Sequence, residues 1–345
     1  MGAGDNGKAH VACGAFPGGE GGKENEEPKG NPGFEGNEGP KGSAEPKGDA
    51  ETKGSAGPKG NVYVLVHGFA QRGDSWDDVA SFLRSCGGTV YAPWLMDLVE
   101  PVSEDNGLRT VAQRLLDYCA FVAQKHEKKP VVVGYSMGGR IALEAACLAC
   151  GVQTGALPSA RVQPSDIPFS ALVLESAGLG PAVDEDRNRL RERNSAWAKL
   201  VHEQGVGAFM EWWETLPLFA SQQNQPAAKR EAQRRQRMHN SAKDIALQLT
   251  VWGQHHQSSR ETTLAALNWL EDTGVPVSYF AGELDEKYCR AAACVQQNVS
   301  RATVKLFPGC GHNVHWEDPR AYADALLAIF DAPVHDASSP NVNLL

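Results

Sequence analysis

One nine-residue stretch constrains this chain more than any other: Val131-Val132-Val133-Gly134-Tyr135-Ser136-Met137-Gly138-Gly139. The β-branched run that follows Pro130 suits a strand buried on both faces. Its end fits G-x-S-x-G, and the Ala-rich segment after it reads as a helix. A strand running into a helix through this pentapeptide forces the serine into a strained backbone position that only small neighbours permit, and stands its hydroxyl above a sheet at a helix N-terminus. The pentapeptide by itself is a weak signal, because a Gly-rich turn can carry an incidental serine. Strand before and helix after make it specific.

The rest of the foldable chain agrees with such a turn. Val62-Tyr63-Val64-Leu65-Val66 is a second short apolar run, ending in His67-Gly68. Further strands are expected at 89–93, 171–174, 275–281 and 303–307, and helices at 75–85, 108–125, 138–149, 260–271 and 319–330. Strands alternating with helices predict an α/β fold class, a mostly parallel sheet flanked by helices. Residues 181–256 break the alternation. They are helical in pattern and rich in Trp and Arg, and they predict a helical cap inserted over one end of a core formed by 61–180 and 257–333.

Residues 1–60 obey different rules. They hold 17 of the 36 glycines and 6 of the 20 prolines, with Met1, Val11, Phe16 and Phe34 as their large apolar residues, so they cannot build a core. From Gly30 to Gly60 glycine recurs every third residue, except that Glu45 and Glu51 stand where two more would fall. Pro40-Lys41-Gly42, Pro46-Lys47-Gly48, Thr52-Lys53-Gly54 and Pro58-Lys59-Gly60 add a six-residue repeat. The pattern is collagen-like, but a triple helix accepts only Gly at its axis, and two Glu interruptions predict a disordered tether instead. A flexible C-terminal tail is expected over 334–345.

Several classes are set aside by composition. No run of 18 apolar residues suggests a membrane span, and the N-terminus carries neither a signal core nor a myristoylation pattern. A net charge of −9 argues against non-specific nucleic-acid binding. The eight cysteines are scattered, as expected of free thiols in a cytoplasmic protein. Cys147 and Cys150 sit in an apolar helical pattern and predict core packing rather than a metal or redox pair. No metal or cofactor is expected.

A serine hydroxyl needs a base, and the base needs a third group to orient it. With this turn the chain order is Ser, then acid, then His. Asp285, after the expected strand 275–281, and His312, after the strand 303–307, fall on loops at the carboxyl ends of strands, where an open α/β sheet places its site. Glu283 remains a rival for the acid. His315, His255 and His256 are expected at the surface or in the cap, and His67 is expected to support its loop. The oxyanion donors are expected to be the backbone N–H groups of Met137 and Phe69.

The arginines narrow the chemistry. Arg140 lies in the first turn of the helix opened by Ser136, where a cation opposes the helix dipole, so an anionic neighbour is expected, either a protein carboxylate or a ligand. The cap holds 11 basic against 9 acidic residues, while the rest of the foldable part holds 15 against 23. A basic lid on an acidic body suggests a small anionic substrate. Arg189, Arg193, Arg230 and Arg235 are expected on solvated helix faces.

Together these motifs resemble the 2-succinyl-6-hydroxy-2,4-cyclohexadiene-1-carboxylate synthase family of menaquinone biosynthesis, lyases of the α/β-hydrolase fold. The likeness runs from about residue 61 to residue 330. It is carried by His67-Gly68-Phe69, Gly134-Tyr135-Ser136-Met137-Gly138-Gly139-Arg140, Leu174-Glu175-Ser176-Ala177, Trp213-Glu214-Thr215-Leu216-Pro217-Leu218-Phe219 and Gly311-His312-Asn313-Val314-His315. The resemblance implies elimination of pyruvate from 2-succinyl-5-enolpyruvyl-6-hydroxy-3-cyclohexene-1-carboxylate, with Ser136, polarised by His312 and Asp285, as the base. It further implies that Tyr135, Arg140, Arg187, Trp213 and Arg237 bind a substrate with three carboxylates. Leu190 and Asn194 depart from the family pattern, and the N-terminal tail lies outside it. Two other readings share the scaffold: a serine hydrolase acting on an acidic small molecule, and a binding protein on a degenerate hydrolase framework.

Overall fold

The computed structural model describes residues 60–99, 107–151 and 163–330. The expectations for the repeat before Gly60 and for 334–345 lie outside these residues. Six strands, β1 (Val62–Val66), β2 (Thr89–Tyr91), β3 (Val131–Tyr135), β4 (Ala171–Glu175), β5 (Val277–Gly282) and β6 (Thr303–Phe307), form one sheet. All neighbours are parallel, in the order β2-β1-β3-β4-β5-β6.

Side chains alternate across a strand, so a continuous apolar run must serve two cores at once. In β1, Val62, Val64 and Val66 join Leu172 of β4 beneath α2 (Leu108–His126), α3 (Met137–Ala149), α7 (Arg260–Asp272) and α8 (Glu286–Asn298). Tyr63 and Leu65 face the other way, with Val133 of β3, against α1 (Asp77–Ser85) and α10 (Pro319–Phe330). Cys147 and Cys150 are buried at the end of α3, and the Cys150 thiol donates to the Ala266 carbonyl of α7, 3.7 Å away. The sequence pattern did not anticipate α8, whose buried face is only Tyr288, Ala292 and Val295.

Between β4 and α7 lies the helical cap: α4 (Asp184–Trp213, broken at Gly205), a 3-10 stretch (Pro217–Asn224), α5 (Ala227–Arg237) and α6 (Ala242–Thr250). Its own core of Val201, Phe209, Met210, Ile245 and Leu249 closes over Ala70, from the loop after β1. A further helix, α9 (Val314–Glu317), follows the loop after β6. None of the described helices is long and apolar enough to cross a membrane.

The sheet order places the site. The chain steps outward from β1 to β2 and then crosses back to β3 on the other side, so the loops after β1 and β3 diverge and leave a crevice at their carboxyl ends. Here α3 docks against β1. A Cβ on Gly138 would lie 2.3 Å from the Val66 carbonyl oxygen and 2.4 Å from that of His67. Gly138→Ala is therefore expected to cost about 1–3 kcal/mol of stability through forced backbone movement, read as a lower urea midpoint with an unchanged m-value.

Candidate active site

The turn after β3 holds Ser136 at φ 49°, ψ −106°, one of the few non-glycine residues at positive φ. Its N–H donates to the Glu175 carbonyl, 2.8 Å away at the end of β4, which pins the turn to the neighbouring strand. Ser136 Oγ is 3.1 Å from His312 Nε2, and His312 Nδ1 is 2.8 Å from Asp285 Oδ2. Asp285 is the N-cap of α8 and also accepts from the Tyr288 N–H, so helix and loop share its position. Glu283, the rival acid, is exposed and faces the Gly309 N–H instead. Burial pushes the His312 pKa down, against the opposing pull of the Asp285 hydrogen bond. A neutral imidazole donating to Asp285 through Nδ1 leaves Nε2 to accept the serine proton, the arrangement of a general base.

Met137 opens α3, where a first-turn N–H has no intrahelical acceptor. Phe69 faces the same region from the loop after β1. On either side of it, the Gly68 N–H donates to Gln71 Oε1 and the Ala70 N–H to Gln248 Oε1 of the cap, both at 2.9 Å. Ala70, at φ 56°, is further clamped by Asn240, whose side-chain amide donates to its carbonyl. His67 supports the loop: Nδ1 donates to the Gly68 carbonyl at 2.9 Å and Nε2 accepts the Leu95 N–H at 3.1 Å. Acceptance at Nε2 requires the neutral ring, and burial lowers its pKa to about 4.

Ser136 and His312 open into a pocket between sheet and cap, walled by Phe69, Tyr135, Trp197, Trp213, Phe219 and Tyr288. Four cationic side chains line it, Arg140, Arg193, Arg237 and Lys287, and among the described residues no Asp or Glu does. Arg140 is only 8% exposed, its Nε has no hydrogen-bond partner, and among the described residues no carboxylate pairs with it. Burial lowers its pKa to about 10, which still leaves it charged at neutral pH. The carboxylate expected beside it is thus not supplied by the described protein. Arg237 is also buried but is held by Glu214 at 2.8 Å. Trp213 packs between Phe209 and Phe69 and against Phe219, so the far wall is rigid.

The alpha/beta hydrolase family pattern matches residues 63–325. A Bacillus subtilis (strain 168) protein provisionally named 2-succinyl-6-hydroxy-2,4-cyclohexadiene-1-carboxylate synthase is 31% identical over 218 residues, 63% of this chain and 72% of its own length. The Pectobacterium atrosepticum protein of that name is 26% identical over 79% of this chain and 95% of its own. The solved structure of MenH from S. aureus superposes with a TM-score of 0.64 at 26% identity, covering 78% of this chain and 92% of that one. The chain belongs to the 2-succinyl-6-hydroxy-2,4-cyclohexadiene-1-carboxylate synthase family.

Within this synthase the structure redistributes the arginines. Arg187 does not line the pocket. Its guanidinium donates to the carbonyls of His255 and Gln257, at 2.6 and 2.9 Å, and ties α4 to the chain entering α7. Arg193, expected on a solvated face, lies in the pocket instead, stacked on Trp197 at 4.4 Å and hydrogen-bonded to Asn194 and Gln254. Lys287 had no signal in the sequence beyond its place two residues after Asp285. His315, expected at the surface or in the cap, is buried in α9, while His255 and His256 lie at the end of the cap, the first buried and the second exposed.

The neutral histidines carry a pH signature. His67 and His255 both titrate near 4 when folded, against 6.5 as the ordinary value, because burial disfavours the cation. Below 6.5 the unfolded chain takes up protons that the folded chain refuses, so stability is full above about pH 6.5 and falls as pH drops toward 4. For His67 this loss is roughly 3 kcal/mol. Thermal unfolding from pH 7.5 to 4.5 should show the decline, and His67→Gln should flatten it while lowering stability at pH 7.5.

Proposed function

We propose that this protein eliminates pyruvate from 2-succinyl-5-enolpyruvyl-6-hydroxy-3-cyclohexene-1-carboxylate to give 2-succinyl-6-hydroxy-2,4-cyclohexadiene-1-carboxylate, with Ser136 as the base. Its family membership supports the reaction. The observation that carries it is a serine hydrogen-bonded to His312 inside a pocket lined by four cations, of which the buried Arg140 pairs with no carboxylate among the described residues.

The proton on the ring carbon that bears the succinyl group passes to Ser136 Oγ as the serine proton passes to His312 Nε2. Asp285 stabilises the resulting imidazolium. The electron pair first shifts toward the succinyl carbonyl oxygen, where the Met137 and Phe69 N–H groups receive the charge. It then returns to the ring to form the second double bond as the carbon–oxygen bond to the enolpyruvyl group breaks. The proton held by the His312 imidazolium passes to the departing enolate, which becomes pyruvate, and the neutral imidazole is restored. No water is consumed.

Three carboxylates on the substrate match the cations of the pocket. Arg140, buried and unpaired, is the strongest candidate for a direct ion pair, with Arg193, Lys287 and Arg237 around it. Tyr135 and Trp213 supply apolar wall. Arg187 acts from outside the pocket, by holding the start of α4. We take the enzyme to work in the cytoplasm, which the unpaired state of the seven described cysteines supports.

A coupled assay for pyruvate tests this. The wild type should release pyruvate from the enolpyruvyl substrate, and Ser136→Ala should lower kcat by roughly 10³-fold, within the range of a lost general base. Arg140→Ala should raise KM by about 10- to 100-fold, the worth of a charge-assisted hydrogen bond, with the fold retained. Absence of pyruvate together with rapid turnover of p-nitrophenyl esters would mean a hydrolase.

A further inference from the structure

Three residues past His312, a second histidine and a second carboxylate are sealed beneath the site, and the reaction above uses neither. Glu175, the last residue of β4, and His315, in α9, are both essentially without solvent exposure. Glu175 Oε1 accepts the His315 backbone N–H at 3.1 Å, and Glu175 Oε2 lies 2.7 Å from His315 Nδ1. The imidazole stacks on Trp76 with ring centroids 3.7 Å apart and meets Tyr135 edge-on at 4.8 Å. A buried carboxylate is costly unless fully paired, so this pair is one geometric unit and not a loose contact.

The same residue reaches the nucleophile. The backbone carbonyl of Glu175 is the acceptor for the Ser136 N–H, and Ser136 sits at a positive φ that its own preferences resist. Glu175 thus grips the strained serine turn through its main chain and the histidine loop through its side chain. On the far side of His312 a second buried carboxylate, Glu317, accepts the Gly311 N–H at 2.8 Å and Ser221 Oγ of the cap at 3.0 Å. The loop bearing His312 is therefore held on both sides, but among the described residues only the side chain and carbonyl of Glu175 join the serine turn to the helix that ends that loop.

We propose that Glu175, acting with His315, is a positioning residue that sets the distance between Ser136 Oγ and His312 Nε2. The proposal rests on Ser136 and His312 being the reacting pair. It touches neither the substrate nor the cations, so its loss is expected in kcat and not in KM.

The full-length chain carries the test, as Glu175→Ala and Glu175→Gln. Each is measured for pyruvate release, for the rate of Ser136 phosphonylation by a fluorophosphonate, and for Tm. Glu175→Ala should lower kcat and the phosphonylation rate together by about 10- to 100-fold, the cost of misplacing a reacting group by up to an ångström, with KM within about twofold. Glu175→Gln should recover most of both rates, because its carbonyl can accept the His315 N–H and its amide can serve the ring in the other tautomer. If Glu175→Ala lowers Tm but leaves both rates unchanged, the pair is merely structural and the proposal fails. It fails equally if Glu175→Gln is as impaired as Glu175→Ala.

Should Glu175→Ala not fold, His315→Asn against His315→Leu decides, since both keep the backbone N–H to Glu175 Oε1 but only Asn has a side-chain donor for Oε2. Equal rates in those two would overturn the proposal. Phosphonylation needs no enolpyruvyl substrate, so a wild type that is labelled at Ser136 but releases no pyruvate would sink the proposed reaction and leave this inference standing or falling on the labelling rates.

Discussion

The backbone of α3 touches the end of β1 at Gly138, with no room for a side chain between them, and the active site depends on that approach. Because β1 and β3 are parallel neighbours, their carboxyl ends emerge together, and α3 must turn sharply to leave the sheet. The sharpness of the turn puts Ser136 at positive φ, a strain of about 1–3 kcal/mol. The surrounding structure sustains it: Ser136 bonds to Glu175 on β4, and both sheet faces are covered by packed helices. A straighter exit would relieve the strain and aim the hydroxyl away from His312.

Electrostatics divide the site into two regimes. Around the proton-transfer groups every charge has a partner: Asp285 with His312, Glu175 with His315, Glu317 with Gly311 and Ser221. Around the pocket the balance is left open, with Arg140 buried and without a protein carboxylate. A guanidinium in that position forfeits hydration that only a bound anion restores. This asymmetry, more than the serine itself, is what the proposed anionic substrate rests on.

The cap takes part in both regimes. Its helices supply Arg193, Arg237 and Trp213 to the pocket, and its Gln248 and Asn240 clamp the Phe69 loop by bonding Ala70. The cap core itself includes Ala70, so the cap and the loop after β1 are packed as one unit.

By itself the sequence determined what short-range physics can encode. Continuous apolar, β-branched runs marked the strands that serve two cores, and the small residues around Ser136 marked a turn only they allow. The chain order of Ser136, Asp285 and His312 followed from placing each at a strand's carboxyl end. Helix α8 escaped notice because its buried face carries too few large apolar residues to show a period. Tertiary structure decided the rest. Asp285 and Glu283 are two residues apart, and only the course of the loop after β5 turned one of them toward His312. Arg187 and Arg193 are six residues apart on α4, about 120° apart around the helix axis at 3.6 residues per turn, so they point to different surroundings. Which of them faces the pocket depends on how α4 packs on α6 and Ala70, contacts made by residues far apart in the chain. His315 was buried for the same reason: Trp76, just before α1, and Glu175, at the end of β4, enclose it, and no local pattern announces a neighbour more than a hundred residues away.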